Sequence, residues 1–202
     1  MVTVLVGRVI RYQADKSSKF LYDKAGRYNP DPDFISNPIP VWAICGPEIR
    51  KELLPGDVLF FTPKKANQPR EWIESGRPYR CTGYMTVRKK EDRENVLKDL
   101  KLKLKFKRRY KRDLVRHQTK STECCKRTDR IAKLFPQNFI YGYSVRSGRS
   151  KWLGRNGPSL VVLLKQCGMN RLAKQIQTGI YNPRLRKIPD KKVPQLLRLL
   201  KK

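Results

Sequence analysis

Three groups of side chains in this sequence could do chemistry, each of a different kind. The first is thiol and imidazole: Cys124 and Cys125, with His117, the single histidine, seven residues before them. Zinc sites favour cysteines separated by roughly two to four residues, because adjacent thiolates chelate poorly. Five cysteines, an odd number without framework spacing, read instead as buried or incidental thiols in a reducing compartment. No metal is expected. The second group is carboxylate: Asp57 with Glu71 or Glu74 and a nearby Lys64, the ingredients of a nuclease centre. Asp57 sits in the turn before a strand, however, where an aspartate usually serves turn hydrogen bonding. The sequence has no Gly-rich phosphate loop, no repeated Asp/Glu metal cluster and no Ser-His-Asp spacing that one histidine could support. No enzyme constellation stands out, which leaves the question of catalysis open and leans against it, and no cofactor is expected.

The third group interleaves rings with cations. Phe139, Tyr141 and Tyr143 alternate with Ile140, Gly142 and Ser144, and Arg146, Arg149, Lys151 and Arg155 follow in a Gly/Ser loop around Trp152. Stacking on a base while holding its phosphates requires this mixture; a core strand followed by a basic loop is the other reading. More aromatics, Phe20, Tyr22, Tyr28 and Phe34, lie on a proline-punctuated loop between Asp15 and Pro40. They either pin that loop as a small apolar cluster or wall a site for a base. The stacking candidates are Tyr28, Trp42, Tyr141 and Trp152, with Asn29 and Arg50 as donors to a base edge.

Net charge says what such a site would meet. The chain carries +30, of which residues 1–87 hold only +4 and residues 88–202 the remaining +26. The first part has the balance of an ordinary globular half; the second has that of a surface for a polyanion, most commonly nucleic acid, DNA or RNA. A membrane surface is the weaker alternative. No run of about 18 apolar residues could span a bilayer. The opening MVTVLVGRVI reads as a strand rather than a signal peptide. A cytoplasmic, nucleoid- or RNA-associated location follows. The phosphate-binding candidates are Lys101, Lys105, Arg108, Arg109, Arg112, Arg146, Arg149, Lys151 and Arg155.

The positioning elements centre on Val41–Thr62. Val41–Cys45 reads as a buried strand; Pro47 and Glu48 open a helix with Ile49, Leu53 and Leu54 on one face. Pro55-Gly56 stops it, and Val58–Phe61 is the next strand. This compact unit is expected to be the nucleus of the fold. Val2–Tyr12 and Tyr79–Val87 are further strands, and Pro63–Arg80 a loop. Asp92–Gln118 is ambiguous, because Leu100, Leu102, Leu104 and Phe106 alternate while Val96, Leu97, Leu100 and Leu104 also make a helical stripe. Without Gly or Pro and rich in Leu, Lys, Arg and Glu, it is expected as one long helix. Leu160–Gln177 is a helix, and Asn182–Lys202 a basic arm ending in a short helix, Val193–Leu200.

CGPEIRKELLPGDVLF, Cys45 to Phe60, resembles a block of the nucleotide-modification-associated domain family, the second of that name. The Tyr22-Asp23…Gly26…Asn29-Pro30 loop and the NFIYG strand, Asn138 to Gly142, are similar to its other two blocks, in the same order. The likeness covers most of residues 1–145 and extends to the wider PUA-like superfamily that holds the EVE, ASCH and YTH domains. It implies an α+β fold: a small, mostly antiparallel PUA-like β-barrel flanked by helices, with a pocket for a nucleotide base. Residues 1–165 would form that domain, with a basic helical insertion at 88–130 that departs from the family. Residues 166–202 would form a basic C-terminal helix and arm. The function implied is a nucleic-acid-binding module that recognises a modified or flipped base; extruding such a base costs a few kcal/mol. A nucleotide-modifying or hydrolysing enzyme and a structural RNA- or ribosome-associated protein are the alternatives.

Overall fold

In the computed structural model, residues 7–12, 34, 37–42, 47–63, 79–108, 111, 139–154, 157–178 and 187–201 are described. They form an α+β protein of mixed helix and largely antiparallel sheet, divided into two compact units.

The first unit takes residues 1–30, 56–85 and 151–202. Its strands β1 (Gly7–Tyr12) and β3 (Val58–Pro63) run parallel, from Gly7 opposite Val58 to Tyr12 opposite Pro63. This is one parallel pairing inside a sheet expected to be mostly antiparallel. A short strand at Lys187–Ile188 (β6) lies antiparallel on the other edge of β1. Above this sheet sit α3 (Leu160–Gln166), α4 (Asn170–Thr178) and α5 (Val193–Lys201), burying Leu164, Ile176, Leu196 and Leu200 against Phe60 and Tyr84. The single helix expected over Leu160–Gln177 is thus two. Gly168 separates them at φ +73°, a left-handed conformation that ends a helix cheaply only without a Cβ. The terminal helix, expected as the end of a basic arm, contributes Val193, Leu196 and Leu200 to the core.

The second unit takes residues 31–55 and 86–150. Strand β5 (Phe139–Gly142) is its centre. One edge pairs antiparallel with β2 (Val41–Trp42), and the other with the second half of β4 (Gly83–Glu91), which starts in the first unit. α1 (Pro47–Glu52) follows β2, and α2 (Arg93–Lys98) follows β4. Val41, Val96, Leu102, Phe106, Phe139 and Tyr141 form the core.

Several expectations are corrected here. Strand, helix, turn and strand occur between Val41 and Pro63 as read, but the boundary between units falls at Pro55–Gly56, so this stretch is no single nucleus. Because α1 ends at Glu52, Leu53 and Leu54 diverge: Leu53 is buried and Leu54 is exposed. The strand expected at Tyr79–Val87 is displaced to Gly83–Glu91. The long helix over Asp92–Gln118 is broken. Asp92 caps α2 by accepting from the Asn95 amide, and Asp99 leaves helical geometry at ψ 111°. Its carboxylate accepts from the Lys101 N–H at 2.9 Å, a local bond that competes with the helix, and helix resumes only over 104–108. Neither apolar stripe survives: Leu100 is 94% exposed and Leu104 59%, while Leu102 and Phe106 are buried. Residues 109–110 and 112–118 lie outside the described set.

Candidate functional site

A β-bulge positions the site. The β4–β5 register shifts between Val87, opposite Gly142, and Lys89, opposite Tyr141. The extra residue breaks the alternation of faces, so Arg88 and Lys89 are both exposed beyond buried Val87. They open onto a cleft of about 400 Å³ within the second unit, lined by Ile39, Arg88, Lys89, Glu91, Asn95, Lys98, Asp99, Lys101 and Tyr141. Four cations face two carboxylates.

The polar groups divide into committed and uncommitted ones. Glu91 accepts from the Lys89 ammonium at 2.9 Å and the Asn95 amide at 2.8 Å. The Asn95 bond first, then Lys89, hold its carboxyl below the usual range. Lys98 stands 4.0 Å from Glu94, both exposed, a pairing of little energetic weight. Arg88 and the Lys101 ammonium have no acidic partner among the described residues. Asp99 accepts from the Lys101 N–H through Oδ1 and leaves Oδ2 uncommitted among those residues.

Tyr141 is the odd member. Its ring is only 2% exposed, with the Lys89 ammonium 4.8 Å from its centroid. Its hydroxyl is buried yet makes no hydrogen bond; the Asp99 carboxylate acts on it without reaching bonding geometry. Burial, then Asp99, then Glu91 push the phenol's pKa far above its ordinary value. Tyr141 therefore remains a proton donor at every physiological pH. A buried donor without a partner costs roughly 1–3 kcal/mol, so such groups call for an explanation.

The structure sorts the sequence candidates. Lys101, Lys105, Arg108, Arg146, Arg149 and Lys151 are exposed, and the Arg149 guanidinium stacks 4.6 Å from the Tyr143 ring centroid. The stacking set does not hold together. Trp42 is 2% exposed and sealed in the core, Tyr141 is edge-buried, and Trp152, in the first unit, is half-buried with its indole close to Gly154. Arg50 is no reader of base edges: 1% exposed, it lies 6.0 Å from the Trp42 ring centroid and 5.7 Å from that of Phe139. A guanidinium sheds little hydration and stacks on ring faces, which lets it occupy a core. Asp57 is likewise buried. Tyr28, Asn29, Arg109, Arg112 and Arg155 lie outside the described residues, as do His117, Cys124, Cys125, Lys64, Glu71 and Glu74.

Sequence reading missed Arg88, Lys89, Glu91, Asn95, Lys98 and Asp99. A signal was present in Asp92-x-x-Asn95 and in the triple cation Arg88-Lys89-Lys90 at a strand end. The bulge that turns two of those cations outward has no sequence mark. No family model, curated protein or solved structure matches the chain. No helix among the described residues is long and apolar enough to cross a membrane.

Proposed function

We propose that the protein binds nucleic acid through its phosphate backbone, using the cationic surface of the second unit. The observation that carries this is the run Lys101, Lys103, Lys105, Arg108 and Lys111: every member is exposed, and none has an acidic partner among the described residues. Without a neighbouring carboxylate to pair with, these cations are left to meet an external anion. Arg146 and Arg149 extend the same chemistry on the turn after β5. In this reading the fold is a variant of the PUA-like barrel and the protein works in the cytoplasm, on nucleoid or RNA. Holding the strand, rather than stacking a base between Trp42 and Tyr141, is the supported part of the expectation, because both rings are buried.

The test is the salt dependence of binding to a labelled single-stranded oligomer. Each phosphate contacted contributes about 0.7 to the slope of log affinity against log salt for single strands, so six contacts give about −4. A slope near zero removes the proposal.

A further inference from the structure

Within the nucleic-acid reading, on which it rests, we propose that the turn after β5 is a platform for an unpaired base. The base stacks on the outer face of the Arg149 guanidinium, whose inner face rests on the Tyr143 ring, and Arg146 holds an adjoining phosphate. The ligand class is therefore single-stranded nucleic acid, DNA or RNA, because a base inside a duplex has both faces covered by its neighbours.

Three observations converge on this turn. The first is the stack itself. The Arg149 guanidinium lies 4.6 Å from the Tyr143 ring centroid, with Tyr143 half-buried and Arg149 exposed. A guanidinium plane accepts a base on its face much as an aromatic ring does, and it sheds little hydration in doing so. Contact with a phosphate alone needs no ring beneath the cation, and a pair sealed in the core, such as Arg50 with Trp42, offers no outer face. The second observation is that one residue of β4 anchors both members. The Thr86 carbonyl accepts from the Tyr143 N–H at 3.1 Å, and Thr86 donates its own N–H, at 3.1 Å, and its hydroxyl, at 2.8 Å, to the Arg149 carbonyl. Between them, the Ser147 hydroxyl donates to the Ser144 carbonyl at 2.6 Å and accepts from the Arg149 N–H at 3.2 Å. A base thus meets a platform that is already ordered, which lowers the entropic cost of binding. The third is charge and room. Arg146 and Arg149 have no acidic partner among the described residues, and a Cβ added at Gly148 would meet nothing within 4 Å.

The full chain is titrated against fluorescent dT12 and against an abasic strand of the same length, at several salt concentrations. The two strands carry the same phosphates, so the backbone contribution cancels in their ratio. The expected result is about ten-fold tighter binding of dT12, with equal salt slopes. Arg149→Lys keeps the charge and loses the plane; it should bring the ratio near one while leaving the abasic strand and the slope unchanged. Tyr143→Leu, which removes the support, should lower the ratio in the same way. Arg146→Gln weakens both strands together. Equal binding of the two strands with a steep slope overturns the platform and leaves backbone binding standing. A preference for dT12 that survives in both Arg149→Lys and Tyr143→Leu overturns the site. Failure of both strands to bind at low salt overturns the proposed function, and this inference with it.

Discussion

The interiors of the two units differ in kind. That of the first is built on a large aliphatic cluster, in which Leu164, Ala173, Ile176 and Leu196 are fully buried, with Asp57, Thr82 and Ser159 as its buried polar members. Burial pushes Cys81 up to about 12, against the smaller opposing effect of hydrogen bonds with Gly83 and Phe61. The second unit has a smaller apolar cluster and admits polarity into it. Arg50 lies among rings, and the Tyr141 hydroxyl, the Asn37 amide nitrogen and the Ser150 hydroxyl are buried without hydrogen bonds. The first unit holds one such atom among the described residues, the Arg80 Nε, against three here, and unsatisfied groups reduce stability. Under the proposed binding mode, the first unit would be the scaffold and the second the working surface.

Breaking the scaffold has the largest expected effect. Gly157 passes so close to the backbone before β4 that an added Cβ would fall 1.8 Å from the Cys81 carbonyl oxygen. That neighbour is backbone, held by the Cys81 N–H to Pro158 carbonyl bond at 2.8 Å, and has no rotamer through which to yield. Gly157→Ala should cost about 3 kcal/mol or more, or prevent folding, as read by urea denaturation or soluble yield. Survival with less than about 1 kcal/mol lost would mean that the first unit is not the rigid partner. Next is Arg50→Ala, which removes a desolvated cation from the faces of Trp42 and Phe139 and should cost about 2 kcal/mol. Arg50→Met, which restores the packed volume, should recover part of that loss.

The working surface is probed by charge rather than packing. Lys101, Lys105 and Arg108 are exposed, so changing all three to glutamine should leave the unfolding midpoint within a degree or two. The slope of log affinity against log salt should fall by roughly 2, about 0.7 for each lost phosphate contact. The same substitutions at Lys165, Lys174 and Arg198, exposed cations of the first unit, should change the slope less. Equal losses from both sets would erase the functional difference between the units.

What the sequence made legible follows the range of the forces involved. Turns and caps are local, and Pro47 opens α1 as read, although the helix ends at Glu52, before Pro55-Gly56. The strand of rings at Phe139–Gly142 was equally readable, because period-two patterning is local too. The segment after Asp92 was not. Its composition favours helix throughout, and two aspartates decide the outcome by bonding to Asn95 and Lys101. Trp42 and Tyr141 were chosen as rings for stacking, yet composition does not tell a ring that faces solvent from one paired across β2 and β5. Arg50 shows the same limit: a cation after an apolar strand looks exposed until Trp42 and Phe139 close over it.

The smallest expected effect is also the most specific to the contrast between the units. Tyr141→Phe removes one oxygen from a buried ring and leaves the pairing of Tyr141 with Val41 and Lys89 intact. Deleting a satisfied buried hydroxyl costs about 1 kcal/mol, whereas deleting one without a partner is neutral or stabilising by a similar amount. At pH 7 the variant should therefore be at least as stable as the parent in urea. The pH dependence sharpens the point. In the fold, burial and the Asp99 charge keep the phenol protonated, while an unfolded tyrosine ionises near pH 10. Above that pH the unfolded state binds fewer protons than the folded one, so this group's contribution to stability falls as pH rises. The parent should lose stability between about pH 9.5 and 11 more steeply than Tyr141→Phe. Parallel curves, with the variant less stable at every pH, would show that the hydroxyl has a partner and that the second unit is as closed as the first.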